Sequence, residues 1–197
     1  EALFGVPQPA RHHPEIDSGE HTLLALARAA ELTESREVRF AVLLHDLGKG
    51  ITPRDELPRH IAHETRGIKL VAAACKRLKP PNPYRDLALK VCEFHLLCHS
   101  AMELRGKTLL KLLRATDALR RQEVFEAFLL ACEADARGRA GFAEREYPQA
   151  DYLRAAREVA LSVTSQAFAD QGLQGKAFGE AMAAEQVARL NAFRNQT

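Results

Sequence analysis

The stretch Phe40-Ala41-Val42-Leu43-Leu44-His45-Asp46-Leu47-Gly48-Lys49-Gly50 decides how the chain is read. Its apolar residues continue a pattern that starts near Ser35, with Val38, Ala41, Val42 and Leu44 on one side. Recurrence at three and four residues lays one face of an α-helix against a core. Gly48 supplies the stop. Near the C-terminal end of that helix stand His45 and Asp46, an expensive place for polar groups without partners.

Working outward, the chain reads as helices throughout. Asp17-Ser18-Gly19-Glu20 has the form of a capping box, followed by Leu23, Leu26, Ala27 and Ala30 at helical spacing. Residues 48–59 carry Gly48, Gly50, Pro53 and Pro58 and form a loop. A third helix is predicted over 62–78, stopped by Pro80-Pro81. Asn82-Pro83 opens a fourth, to about residue 99. Gly106-Lys107-Thr108 opens the next, and another spans 122–137 and ends at Gly138. Residues 141–148 are a break, and 149–197 hold two or three helices interrupted near Gly172 and Gly175. No segment alternates apolar and polar residues, so the expected class is all-α. Residues 1–16, with Pro7, Pro9 and Pro14, are an irregular lead-in in which His12 and His13 are expected to be solvated.

Composition narrows the function classes. The chain has 197 residues, 46% of them hydrophobic, enough for one cored domain or one domain with an appended piece. No apolar run approaches the roughly 18 residues of a membrane helix, so no membrane role is expected. The start at Glu1 lacks a signal-peptide pattern and an initiator Met, and reads as a chain cut from something longer or a processed start. Cys75, Cys92, Cys98 and Cys132 form no CxxC pair, and three lie in apolar helical stretches. That argues against a disulfide framework or structural zinc and fits a cytoplasmic location. A net charge of +2, from 28 basic and 26 acidic residues, is no signature of nucleic-acid binding by itself. Arg114, Arg120, Arg121, Arg137 and Arg139 still make the middle of the chain arginine-rich.

His45 and Asp46 point about 100° apart on a helix and need side chains from other helices to complete a shell. His21 and Asp117 are available, each on an otherwise apolar predicted helix. Asp117 reads equally as a salt-bridge partner of Arg114 or Arg121, and His21 as a capping-turn histidine. Two imidazoles and two carboxylates without sulfur favour an octahedral or partly open divalent ion over structural zinc. His60 and His63 are three apart and His95 and His99 four apart, so each pair can share a helix face. His60, His63 and His95 are candidates for a second metal or the scissile phosphate. His99 reads as a residue favourable to its helix dipole. Lys49, after Gly48, would neutralise a phosphate oxygen.

The order His21, His45-Asp46, Asp117 resembles the HD superfamily of metal-dependent phosphohydrolases. Gly5-Val6-Pro7, His13-Pro14-Glu15-Ile16-Asp17, residues 40–50 with Thr52-Pro53, Pro58-Arg59-His60, Glu93-Phe94-His95 and Glu133-Ala134-Asp135-Ala136-Arg137-Gly138-Arg139 are similar to the C-terminal half of bacterial CCA-adding enzymes, multifunctional tRNA nucleotidyltransferases. The resemblance implies an HD helical bundle over 17–140 and a C-terminal helical extension over 141–197. It implies metal ligands His21, His45, Asp46 and Asp117 and links His95 with the same activities, and Asp46, Lys49 and His95 are the expected catalytic residues. It also implies 2′,3′-cyclic phosphodiesterase, 2′-nucleotidase and phosphatase activities with nickel or magnesium, manganese and cobalt remaining open. The Gly-Ser and Asp-x-Asp head of the polymerising half is absent, and Glu133-Ala134-Asp135, in a helical pattern, does not replace it. CCA addition is therefore not expected from this chain alone. Leu96 follows His95 where some members have Asp, which leaves His95 alone. Arg137 and Arg139 are RNA-binding candidates, with an Arg137–Glu133 pair as the plainer reading. Expected substrates are tRNA or RNA 3′ ends and 2′,3′-cyclic nucleotides, and a homodimer is open. The alternatives are a tRNA-binding module with a secondary HD site, and an HD hydrolase of free nucleotides.

Overall fold

Eight α-helices make up the regular structure of a computed structural model that describes residues 2–166, 168 and 172–196. No strand occurs among the described residues. One isolated bridge, Pro7 to Asp17, pins the lead-in. The helices are α1 (Ser18–Leu32), α2 (Arg36–Leu44), α3 (His63–Leu78), α4 (Asn82–His99), α5 (Gly106–Ala115), α6 (Gln122–Arg137), α7 (Pro148–Leu161) and α8 (Gly175–Arg194). The all-α expectation holds, and the helix order follows the punctuation by Gly, Pro and capping residues. The Asp17 carboxylate accepts the N–H groups of Gly19 and Glu20 at 2.8 and 3.0 Å. Ser35 caps α2 by accepting from the Val38 N–H. Caps of this kind stabilise a helix by about 1 kcal/mol.

Helix α4 runs through the middle and packs against α2, α3 and α6, while α1 lies on α2 and α6. Helices α5, α7 and α8 pack on one another and close the other end of the core. Phe125, Phe128 and Leu129 of α6, Val38 and Val42 of α2, and Leu109, Leu112 and Leu113 of α5 are fully buried in one cluster. The four cysteines are free and buried there.

Three local departures from the sequence reading bear on the site. First, α2 stops at Leu44, short of Gly48, and residues 47–51 form a 3₁₀ turn rather than open loop. His45 is the C-cap and Asp46 turns the chain at φ −103°, ψ 10°. Gly48 is held against α3: a Cβ there would lie 1.9 Å from the His63 carbonyl oxygen. Second, the core stripe of α1 is not Leu23, Leu26, Ala27 and Ala30. His21, Ala25 and Ala29, four apart, are buried instead, and Leu23 is half-exposed. Close approach of α6 selects small residues: a Cβ on Gly138 would lie 2.4 Å from Ala25 Cα. His21 is thereby placed on the core face. Third, Asp117 is not on a helix. It follows α5 in the left-handed region, at φ 60°, a conformation that Asp tolerates better than most residues.

Candidate metal centre

Three helices bring histidines and carboxylates to one buried point. His21 comes from the first turn of α1, His45 and Asp46 from the end of α2, and Asp135 from the last turn of α6, all nearly inaccessible to solvent. Asp135 Oδ1 lies 2.9 Å from His21 Nε2 and 3.5 Å from His45 Nε2. Asp46 Oδ2 lies 3.2 Å from His45 Nε2 and 3.9 Å from His21 Nε2. Ligand bonds of about 2.0–2.2 Å place neighbouring donor atoms about 3 Å apart and opposite ones about 4 Å apart. The four observed separations match the edges of such a shell. His45 Nε2 and both Asp46 oxygens are also buried without a hydrogen bond of sound geometry, the state of donors waiting for a cation.

The other nitrogen of His45 is hydrogen-bonded, and that of His21 lies against a carboxylate. His45 Nδ1 donates to the Val42 carbonyl at 2.7 Å, and His21 Nδ1 faces Glu15 Oε1 at 2.9 Å. This leaves Nε2 as the outward-facing atom in both. The remaining Asp46 oxygen, Oδ1, faces His63 Nε2 at 3.1 Å and His95 Nε2 at 3.7 Å. Those two nitrogens are 3.3 Å apart, while their Nδ1 atoms donate to the carbonyls of His60 and of Val91 and Cys92. Two Nε2 lone pairs facing each other are repulsive unless a cation lies between them. Asp46 thus stands between two groups of donors, His21/His45/Asp135 and His63/His95.

The electrostatics follow from burial against charge. Burial opposes the charged form of His45, but Asp46 and then Asp135 outweigh it and raise the pKa to about 10. Burial likewise opposes ionisation of Asp46 and Asp135, and the surrounding cations hold both well below the usual carboxylate range. Burial dominates at His95 and lowers its pKa to about 3, so it is neutral and free to ligate.

Not every expected residue joins the cluster. Asp117 pairs with Arg121 at 2.5 Å and Lys90 at 3.1 Å, the salt-bridge alternative. The corner expected for it is filled by Asp135. His99, read as a helix-end residue, binds Asp135 Oδ2 through Nε2 at 2.7 Å, while its Nδ1 lies 2.9 Å from the Tyr147 hydroxyl. His60 is structural on both sides, meeting Thr52 Oγ1 at 2.7 Å and the Pro7 carbonyl at 2.9 Å. His13 is not solvated: it bonds Glu15 and packs edge-on to His21. Lys49 is buried, with Nζ 2.5 Å from Asp46 Oδ2 and 2.6 Å from Gln8 Oε1. Arg137 pairs with Glu133 at 2.7 Å. A cleft of about 260 Å³, bounded by Asp46, Lys49, His63, His95, Asp135 and Arg139, opens the cluster to solvent.

Comparison with known proteins identifies the family. The chain is 56% identical over 190 residues to the Multifunctional CCA protein of Thioalkalivibrio sulfidiphilus (strain HL-EbGR7), covering 96% of this chain and 46% of that protein. It is 55% identical over 190 residues to that of Alkalilimnicola ehrlichii (strain ATCC BAA-1101 / DSM 17681 / MLHE-1), with 96% and 46% coverage. It is 51% identical over 197 residues to that of Pseudomonas syringae pv. syringae (strain B728a), with 100% and 48% coverage. The chain spans about half the length of the curated relatives it matches. No solved structure matches it. The HD domain model matches residues 19–135, a segment that begins two residues before His21 and ends on Asp135, and the chain belongs to the HD domain family.

Proposed function

We propose that the chain is a metal-dependent phosphohydrolase acting on nucleotide phosphoesters, with 2′,3′-cyclic phosphodiesterase, 2′-nucleotidase and phosphatase activities. We assign it as the HD part of a tRNA CCA-adding and repair enzyme working in the cytoplasm. The observation that carries the reading is the convergence of His21, His45, Asp46 and Asp135 on one buried point at the floor of an open cleft. These four residues would hold a divalent ion, and the mixed nitrogen and oxygen set suits nickel or magnesium. Asp46 Oδ1, His63 and His95 would hold a second cation or the scissile phosphate. A bound divalent cation supplies Lewis acidity toward a phosphoryl oxygen and lowers the pKa of a neighbouring water.

The chain's own residues do the rest. Lys49 holds a positive charge at the cleft, kept there by Asp46 and Gln8. It is placed to balance charge that builds on phosphate oxygens. Neutral His95 offers a lone pair, and Arg139 brings a guanidinium to the rim. Residues 17–140 would form this catalytic unit, with 141–197 as a helical extension. The relatives' printed names motivate an RNA 3′ end as the substrate. The test is Asp46→Ala, assayed with 2′,3′-cyclic AMP and by elemental analysis. Metal content and hydrolysis should both be lost while the helical circular dichroism remains. Retained hydrolysis would overturn the assignment.

A further inference from the structure

A second cleft, of about 520 Å³, lies beside the metal cluster and is bounded by Arg139, Phe142, Arg145, Tyr147 and Gln149. His99 and Arg139 line both clefts, so the two are adjacent. The connection to the metal cluster is one side chain long, because His99 bonds Asp135 on one side and Tyr147 on the other. Sites for small organic ligands measure about 300–1,000 Å³. The first cleft falls just under this range and the second well within it.

The polar groups of the second cleft are not used up. Arg137, also on its wall, is committed to Glu133 and the Ala143 carbonyl. The Arg139 side chain has no hydrogen-bond or ion-pair partner among the described residues, and its Nε is buried. Gln149 donates Nε2 to the His99 carbonyl, which leaves its Oε1 buried without a donor. The exposed Arg145 guanidinium lies 5.0 Å over the Phe142 ring and makes a flat cationic platform. A buried donor and a buried acceptor left open are costly in water-free surroundings unless a ligand supplies their complements. The matching ligand is planar, carries an N–H donor, and is joined to an anion. A nucleoside phosphate has all three features, whereas a phosphorylated side chain has only the anion.

We propose that this cleft is the nucleoside subsite of the phosphohydrolase. Arg139, at the junction, takes a phosphate oxygen. Gln149 Oε1 accepts from a base N–H, and the base stacks on the Arg145–Phe142 platform. The inference rests on the hydrolase reading of the metal cluster, yet its binding half can be read without metal.

The experiment uses the full chain treated with chelator and compares adenosine 2′-monophosphate with ribose 5-phosphate by equilibrium dialysis. Stacking on a side-chain platform should give the nucleotide about tenfold tighter binding. Arg145→Ser, a surface change, should remove most of that difference with unchanged thermal melting, and Gln149→Leu should remove most of it with melting slightly lowered by loss of the bond to the His99 carbonyl. In the metal-loaded chain, Arg145→Ser should lower the ratio of kcat/KM for 2′,3′-cyclic AMP to that for bis(p-nitrophenyl) phosphate by about tenfold. An oligoribonucleotide ending in a 2′,3′-cyclic phosphate, run beside the free nucleotide, shows which source the subsite prefers. Equal binding of the two dialysis probes by the unaltered chain, or an unchanged kcat/KM ratio in Arg145→Ser, would overturn the subsite. Failure of the unaltered chain to hydrolyse any ester would overturn the hydrolase reading, and the dialysis result would then decide the subsite by itself.

Discussion

Asp135 and His21 are 114 residues apart in sequence and 2.9 Å apart in space, between Oδ1 and Nε2. That contact closes the proposed metal shell across α1 and α6, and it sets up a direct comparison with Asp117. Asp135→Asn weakens one anionic donor without changing shape. It should lower metal occupancy and cut hydrolysis of 2′,3′-cyclic AMP by at least about 100-fold. Asp117→Asn should leave metal content and rate within about twofold, since Asn also tolerates the left-handed backbone. Its cost should be stability alone, about 0.2–1 kcal/mol per exposed ion pair. Metal content by mass spectrometry and urea unfolding check both. Loss of metal in the Asp117 variant would return that residue to the shell.

Metal binding should release protons. The His45 pKa near 10 means that the metal-free chain carries an imidazolium at pH 7.5. A cation at Nε2 must displace that proton, so affinity should rise about tenfold per pH unit for each proton released. Calorimetry in two buffers of different ionisation enthalpy should count at least one proton. The stability linkage has the sign of a raised pKa. The His45 contribution to the metal-free fold is complete below about 6.5, its ordinary value, and is lost as pH climbs through about 10. The metal-loaded chain should lack this alkaline loss. Zero proton release would mean that His45 is neutral before metal binds.

His99 and Tyr147 fix the second oxygen of Asp135. The chain Tyr147 hydroxyl, His99, Asp135 Oδ2 runs through contacts of 2.9 and 2.7 Å. His99→Phe removes the donor to the carboxylate and should weaken metal binding by about 10–100-fold. Tyr147→Phe should act in the same direction more weakly, because His99 keeps its bond to Asp135. Competition with a chromogenic chelator measures both. An effect of Tyr147→Phe larger than that of His99→Phe would contradict this order of transmission.

Gly48→Ala should be disruptive for a geometric reason. Its Cβ would fall 1.9 Å from the His63 carbonyl oxygen and 2.7 Å from the Gly67 nitrogen, both rigid backbone. Forcing extra volume into packed structure costs about 1–3 kcal/mol. The 3₁₀ turn would have to lift off α3, which carries Asp46 away from His63. Thermal melting should show lowered stability, and any folded fraction should bind less metal. A variant with unchanged melting and metal content would show that the turn can shift freely.

Helix order was legible in the sequence because punctuation is local. Asp17, Ser35, Asn82-Pro83 and Gly138 act through their immediate neighbours, and the helices begin or end beside them. The buried face of α1 was not legible, because hydrophobicity favours Leu23, whereas close contact with α6 favours Ala25 and Ala29. The second carboxylate of the cluster was missed although a physical criterion was present. Asp117 has Arg114 and Arg121 three and four residues away and can be satisfied locally. Asp135 has Ala131, Cys132 and Gly138 at the corresponding near positions, and Arg139 lies past the helix end. An acidic residue on an apolar helix face with no local counter-charge must find a distant one, and here it finds three histidines.

Glu15 ties the lead-in to both α1 and the end of α6. One of its oxygens contacts His13 Nδ1 and His21 Nδ1, and the other accepts the Ala140 N–H just beyond α6. The segment before α1 is therefore a mechanical strut that sets the angle of one metal-facing imidazole. A displacement of that segment would reach His21 through one carboxylate. The donor set can thus be tuned from outside the cluster without any substitution within it.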